Sequence, residues 1–183
     1  MGVGVVAVGV GVGQFVDAYK AIFRKDLKRG EMTRPEKEIV DTSAPRAIRR
    51  CGPSATVFLR KLAANWRLGI ASGSPARLIG AVLSGAWIRD CIELYVSSDE
   101  VRAGKPQPDV YLEAARRLDV DPRDCAIVED STNGIKAAHA AGAMVIAIPS
   151  RPFPPERTTL RLADVVLPDI RQLTPDVVSG LRP

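Results

Sequence analysis

The chain has 183 residues, of which 46% are hydrophobic and 26% charged, and its formal net charge is +5. That length fills one α/β domain with at most a small appendage, and the balance of apolar and charged residues excludes a disordered or fibrous chain. The positive excess favours an anionic partner, yet the arginines are spread out with no aromatic-interleaved basic patch, which argues against nucleic acid and for a small anionic molecule.

Residues 1–13 are mostly valine and glycine, without a basic segment in front and with glycines at 2, 4, 9, 11 and 13. Such a run makes a poor membrane span or signal core, so no membrane association is expected, and it reads as a strand or as disordered sequence. Residues 14–50 are charged, with one helical stretch around Val16, Tyr19, Ala21, Phe23 and Leu27, and read as a small helical insertion or the remnant of one.

From Cys51 onward, helical and strand-like segments alternate across short turns, the pattern of a parallel sheet covered by helices. Ser54 caps a helix carrying Val57, Phe58, Leu62 and Ala63, and a strand over 67–71 follows. The turn Ser72-Gly73-Ser74-Pro75 opens a second helix with Leu78, Ile79, Val82 and Leu83, ending near Gly85. A strand over 94–97 leads through Gly104-Lys105-Pro106 to a helix with Val110, Tyr111, Ala114, Ala115 and Leu118, started by Pro108. Cys125 to Val128 is a buried strand ending in Glu129-Asp130, ahead of a small-residue helix over 131–141 closed by Gly142 and a strand over 144–148. A short last strand is expected over 164–167, and then a terminal helix over 170–181 interrupted by Pro175.

Cys51, Cys91 and Cys125 are odd in number and lack metal-ligand spacing, so neither a disulfide framework nor a zinc site is indicated, and a reducing, cytoplasmic setting is expected. Cys125, at the head of an apolar run, reads as a small buried residue.

In a parallel sheet, ligands bind beyond the carboxyl ends of the strands. Three polar groups fall there: the Ser72-Gly73-Ser74 turn, Lys105, and the Glu129-Asp130 pair. The turn is either a phosphate cradle of hydroxyl and amide donors or an ordinary capped turn. Lys105 is either a cation for a phosphoryl group or a solvated charge. Two acids at the end of a buried strand either hold a cation such as magnesium or leave Asp130 to cap the next helix.

The ordered set decides among these. The strings IASGSP, SSDEVRAGKPQPDVYLEAARRL and AIVEDSTNGIKAAHAAGAMVIAIPS resemble three of the four motifs of the haloacid dehalogenase superfamily, in the subgroup with a helical cap that includes β-phosphoglucomutase, sugar-phosphate phosphatases and the phosphatase portion of plant riboflavin kinase. The resemblance covers roughly residues 52–148. It implies a Rossmann-like α/β core over 51–183, a parallel sheet flanked by helices, with 14–50 as a reduced or truncated cap or a foreign segment, and 1–13 as the possible first strand. It further implies hydrolysis of a phosphomonoester of a small metabolite, a sugar phosphate or an FMN-like molecule, with Mg²⁺. Ser72 and Gly73 would bind the phosphoryl group, Lys105 would stabilise its charge, and Glu129 and Asp130 would hold the metal. The expected assembly is a monomer or weak dimer.

The family's fourth motif is a nucleophilic aspartate and, two residues on, an acid–base aspartate, both after the first strand. No such pair occurs in residues 1–16, and matching the register puts Gly11 and Gly13 at the two places. Asp17 lies in a helical stretch and is no substitute. The alternatives are therefore a working phosphohydrolase, a module that binds phosphate without turnover, or a gene product with a truncated or misread start. His139, the sole histidine, reads as a helix-surface residue, and Trp66 and Trp87 as packing residues.

Overall fold

Along each buried run of the second half of the chain, alternate residues point to opposite faces, and in the computed structural model of the protein this parity sorts them into two cores. The structure describes residues 5–10, 59–85, 89–150 and 153–181. Six strands form one sheet: β1 (Val5–Val10), β2 (Arg67–Ser72), β3 (Leu94–Ser97), β4 (Cys125–Glu129), β5 (Met144–Ala147) and β6 (Val165–Val166), in the order β3-β2-β1-β4-β5-β6. Every pairing is parallel.

One face packs Cys125, Ile127, Val145 and Ala147 against α2 (Asp109–Arg117) and α3 (Thr132–Ala140). The other packs Leu68, Ile70, Ala126, Val128 and Ile146 against α1 (Ala76–Gly85), through Ile79 and Leu83, and against Leu173, Val178 and Leu181. Residues 59–63 are helical, and Leu62 is fully buried in this second core.

β1 lies at the centre of the sheet, with Val10 level with Ser72 of β2 and Val8 level with Val128 of β4. The chain builds outward to β3 on one side of β1 and to β6 on the other, so the strand order reverses between β1 and β4. A crevice opens at such a reversal, at the carboxyl ends of the strands.

Two local expectations change. Pro175 starts a helix, α5 (Pro175–Ser179), after α4 (Arg157–Leu160), and interrupts nothing: Thr174 caps it by accepting from the Val177 N–H, and a proline's fixed φ and missing N–H suit the first turn. The terminal stretch is therefore a 3₁₀ turn at Ile170–Gln172 followed by this short helix. Asp130 does not cap α3, because Ser131 does, with its Oγ accepting from the Gly134 N–H at 3.1 Å.

The stretch 14–50, Ser54, Cys51, Trp87, Gly11 and Gly13 lie outside the described residues. No helix among the described residues is long and apolar enough to cross a membrane.

Candidate active site

Strand parity decides where Glu129 goes. It shares a face with Cys125 and Ile127, so its side chain enters the layer of α2 and α3 and is fully shielded from solvent. A carboxylate there is tolerable only with partners, and it has several. Oε1 accepts from Lys105 Nζ at 2.5 Å and from the Tyr111 hydroxyl at 2.5 Å. Oε2 accepts from the Asp130 N–H at 3.0 Å, the Ser131 N–H at 3.3 Å and the Ser131 hydroxyl at 3.2 Å.

Burial works against the Glu129 charge, but the Lys105 ammonium and the donated hydrogen bonds outweigh it and hold the carboxyl below the usual carboxylate range. Burial also pushes the Tyr111 hydroxyl well up, helped by the charge of Glu129, so the phenol stays a donor.

Lys105 reaches this carboxylate from the loop after β3, crossing the end of β2, where Nζ also donates to the Ala71 carbonyl at 3.2 Å. Its ammonium stands 4.6 Å from the centroid of the Tyr111 ring. Of three ammonium protons, two are engaged among the described residues, and the side chain is 10% exposed. The lysine is thus a fixed cation with one donor direction left among the described residues, at the edge where β1, β2 and β4 end.

Ser72, the last residue of β2, is buried, and its Oγ accepts from the Ser74 N–H at 3.1 Å. The loop after β3 braces this turn: the Ser97 hydroxyl donates to the Ser74 carbonyl at 2.8 Å and the Ser98 hydroxyl to the Gly73 carbonyl at 2.9 Å. Asp99 accepts from the Ala76 N–H at 3.3 Å, so the first turn of α1 is capped by a carboxylate of the protein. The turn is therefore capped, and what it offers a ligand is concentrated at Ser72 and Gly73. A Cβ on Gly73 would meet nothing within 4 Å, so the space over that residue is open.

Asp130 follows Glu129 at the carboxyl end of β4 and is 2% exposed. A buried carboxylate is a hard oxygen donor of the kind Mg²⁺ takes, and Mg²⁺ needs only one or two of them beside water and phosphate oxygens. Among the described residues no group of three histidine, cysteine or acidic side chains could hold a metal, and both oxygens of Glu129 are engaged. Asp130 thus fits a metal as a partial ligand set.

The structure brings together Lys105 and Glu129 by direct contact, and places Ser72, Gly73 and Asp130 on the same edge of the sheet. Four participants escaped the sequence reading. Tyr111 fits the apolar stripe of its helix by spacing, but a buried tyrosine needs a partner for its hydroxyl, and that need is the signal the sequence offers. Gly134 sits so close to Glu129 that a Cβ there would fall on the carboxyl group. Ser97 and Ser98 carried no signal, since their role depends on which strands are neighbours.

His139 is exposed in the last turn of α3, which runs away from this edge, and Trp66 packs against the second core. Cys125 is buried, with its thiol pushed up to about 11 by burial. The one Asp-x-Asp in the described residues, Asp119-Val120-Asp121, lies in the turn before β4, at the opposite edge, where Asp121 is engaged by Arg123.

Known proteins match this arrangement. The profile of the haloacid dehalogenase-like hydrolases matches residues 18–142. The bifunctional riboflavin kinase/FMN phosphatase of Arabidopsis thaliana is 55% identical over 64 residues, 35% of this chain and 17% of that protein. Hexitol phosphatase B of Escherichia coli K12 is 37% identical over 113 residues, 62% of this chain and 50% of that protein. The chain thus aligns with half or less of the length of these relatives. Among solved structures, CbbY from Rhodobacter sphaeroides in complex with phosphate superposes with a TM-score of 0.68 at 20% identity, over 99% of this chain and 100% of that one. A β-phosphoglucomutase from Clostridium difficile gives 0.58 at 24% identity, over 69% of this chain and 53% of that one. With a family profile spanning more than half of its residues and a Rossmann-like sheet shared with these structures, the chain belongs to the haloacid dehalogenase-like hydrolases.

Proposed function

We propose that the carboxyl edge of the sheet binds the phosphoryl group of a small phosphorylated metabolite, and that the chain acts on such phosphomonoesters as a Mg²⁺-dependent phosphohydrolase. The observation that carries this reading is the Lys105 ammonium, held by Glu129 and the Ala71 carbonyl at the crevice beside β1. A fixed cation at a site shielded from water stabilises phosphoryl charge far better than a mobile surface lysine, because no reorganisation is needed when charge develops.

In this reading Ser72 and the Gly73 backbone orient the phosphoryl oxygens, Lys105 neutralises them, and Asp130 is the protein's carboxylate for the metal, with Glu129 supporting the site through Lys105. The metal would supply charge neutralisation of the phosphoryl group. Sugar phosphates and flavin mononucleotide are the substrate classes suggested by the names of the relatives, sugar phosphates being favoured by Hexitol phosphatase B and a fructose-1-phosphate phosphatase of Escherichia coli, 36% identical over 75 residues.

A second reading, phosphate binding without turnover, is favoured by one observation: residues 1–16 contain no carboxylate. Covalent phosphoryl transfer needs an attacking group, and its removal abolishes the step instead of slowing it. Hydrolysis of p-nitrophenyl phosphate with and without Mg²⁺, in the parent chain and in a Gly11→Asp, Gly13→Asp variant, separates the two. Mg²⁺-dependent hydrolysis by the parent that Asp130→Ala removes establishes the enzyme. Hydrolysis gained only in the double variant establishes the binding module, and no phosphate affinity in either form overturns both.

A further inference from the structure

We propose that Tyr111 is a positioning residue for the phosphate site, acting through Glu129 to fix the Lys105 ammonium; this rests on the reading of Lys105 as the phosphoryl-binding cation. Tyr111 lies on α2 and is 2% exposed. Its hydroxyl donates to Oε1 of Glu129, the same oxygen that receives the Lys105 proton, so one carboxylate oxygen joins the phenol to the ammonium. The face of its ring lies against the same ammonium, with the centroid 4.6 Å from Nζ.

A carboxylate can turn about its last torsion unless each oxygen is held. Oε2 is tied to the backbone of β4's end and to Ser131, and Oε1 is tied by Tyr111 and Lys105. On the far side the carboxyl group rests where a side chain on Gly134 would stand, so α3 leaves room for it and nothing more. Without the phenol, the only donor left to Oε1 among the described residues is the lysine itself, and the pair can move as a unit. The ammonium then loses its fixed place, and with it the orientation of its remaining proton. Charge-assisted hydrogen bonds gain their strength from short, directed geometry, so this loss shows in anion affinity.

Tyr111→Phe keeps the ring under the ammonium and removes only the hydroxyl, and it forms a double-mutant cycle with Lys105→Met. Inorganic phosphate affinity, measured by calorimetry with Mg²⁺ present, falls about tenfold in Tyr111→Phe and shows no further fall when the change is added to Lys105→Met. An equal fall in both backgrounds, or none in either, overturns the proposal. Val145→Ala, a core change on the same face of the sheet, controls for general loss of stability and leaves phosphate affinity within twofold. Labelling of Lys105 by acetic anhydride, followed by mass spectrometry of its peptide, reads the positioning without phosphate and rises several-fold in Tyr111→Phe. Faster labelling in Tyr111→Phe, together with a parent chain that binds no phosphate, retains the positioning and sinks the phosphate-site reading, and unchanged labelling sinks the positioning.

Discussion

Both edges of the sheet carry pairs of a basic and an acidic side chain, in opposite circumstances. At the amino edge, Arg67 pairs with Glu93 and Arg123 with Asp121, each pair with about half or more of one side chain in solvent. At the carboxyl edge, Lys105 pairs with Glu129, 10% and 0% exposed. Exposed pairs contribute little, because water and salt screen them and long side chains lose freedom in forming them. A buried pair is expensive to desolvate and is seldom more stabilising than a well-packed apolar substitute. The Lys105–Glu129 pair is therefore poorly explained by stability, which is the physical reason to read the carboxyl edge as the working one and the amino edge as scaffold.

The largest expected effect comes from breaking the buried pair on one side only. Lys105→Met strands the Glu129 charge with phenol, hydroxyl and amide donors alone, and lowers unfolding free energy by about 3 kcal/mol in chemical denaturation. The double change Lys105→Met, Glu129→Leu recovers part of that loss while leaving the site without its cation. A double variant no more stable than the single one would mean that the pair is structural.

Gly134→Ala comes next. Its methyl group would occupy the position of the Glu129 carboxyl, so the carboxylate must turn away or α3 must shift, at a cost of about 1–3 kcal/mol. Phosphate affinity should fall with it, whereas Gly73→Ala, in open space, should leave stability nearly unchanged.

At the amino edge, Glu93→Gln should cost less than about 1 kcal/mol, and the cost should shrink in high salt. A larger, salt-independent loss would erase the contrast between the edges.

The smallest effect concerns acid. Hydrogen bonds from Arg116 and then Arg117 hold the partly exposed Glu113 carboxyl at about 2, below its ordinary 4.5. Its folded value is the lower one, so it contributes stability above about pH 4.5 that disappears as pH falls toward 2. Parent and Glu113→Gln should therefore differ slightly near neutrality, converge as pH drops through that window, and differ hardly at all in about 1 M salt.

Much of this was legible before the fold was known. Strand and helix positions between Arg67 and Ala147 followed from periodicity and turn residues, because the strands are apolar on both faces and the helices open on Pro75, Pro108 and Ser131, whereas the short helix Arg157–Leu160 carries no comparable apolar stripe. Ser72, Lys105, Glu129 and Asp130 were visible as polar groups at strand ends. The contacts among them were not, since Lys105 and Glu129 are 24 residues apart and meet only because the side chain from the loop after β3 reaches across the end of β2 toward the end of β4. Tyr111 was hidden by its own spacing, which fits an apolar stripe and says nothing of where the hydroxyl ends. Pro175 was misjudged because a proline that breaks a helix and one that starts a helix look alike until the cap before it is known.

The central claim is that the carboxyl edge is a phosphate site organised around one fixed lysine. Calorimetric titration of the parent chain and of Lys105→Met with inorganic phosphate, Mg²⁺ present, tests it most directly. The account predicts saturable binding by the parent and at least a tenfold loss in the variant, as expected when a charged contact at a shielded site is removed. Equal binding by the two proteins, or none by a folded parent, would contradict it.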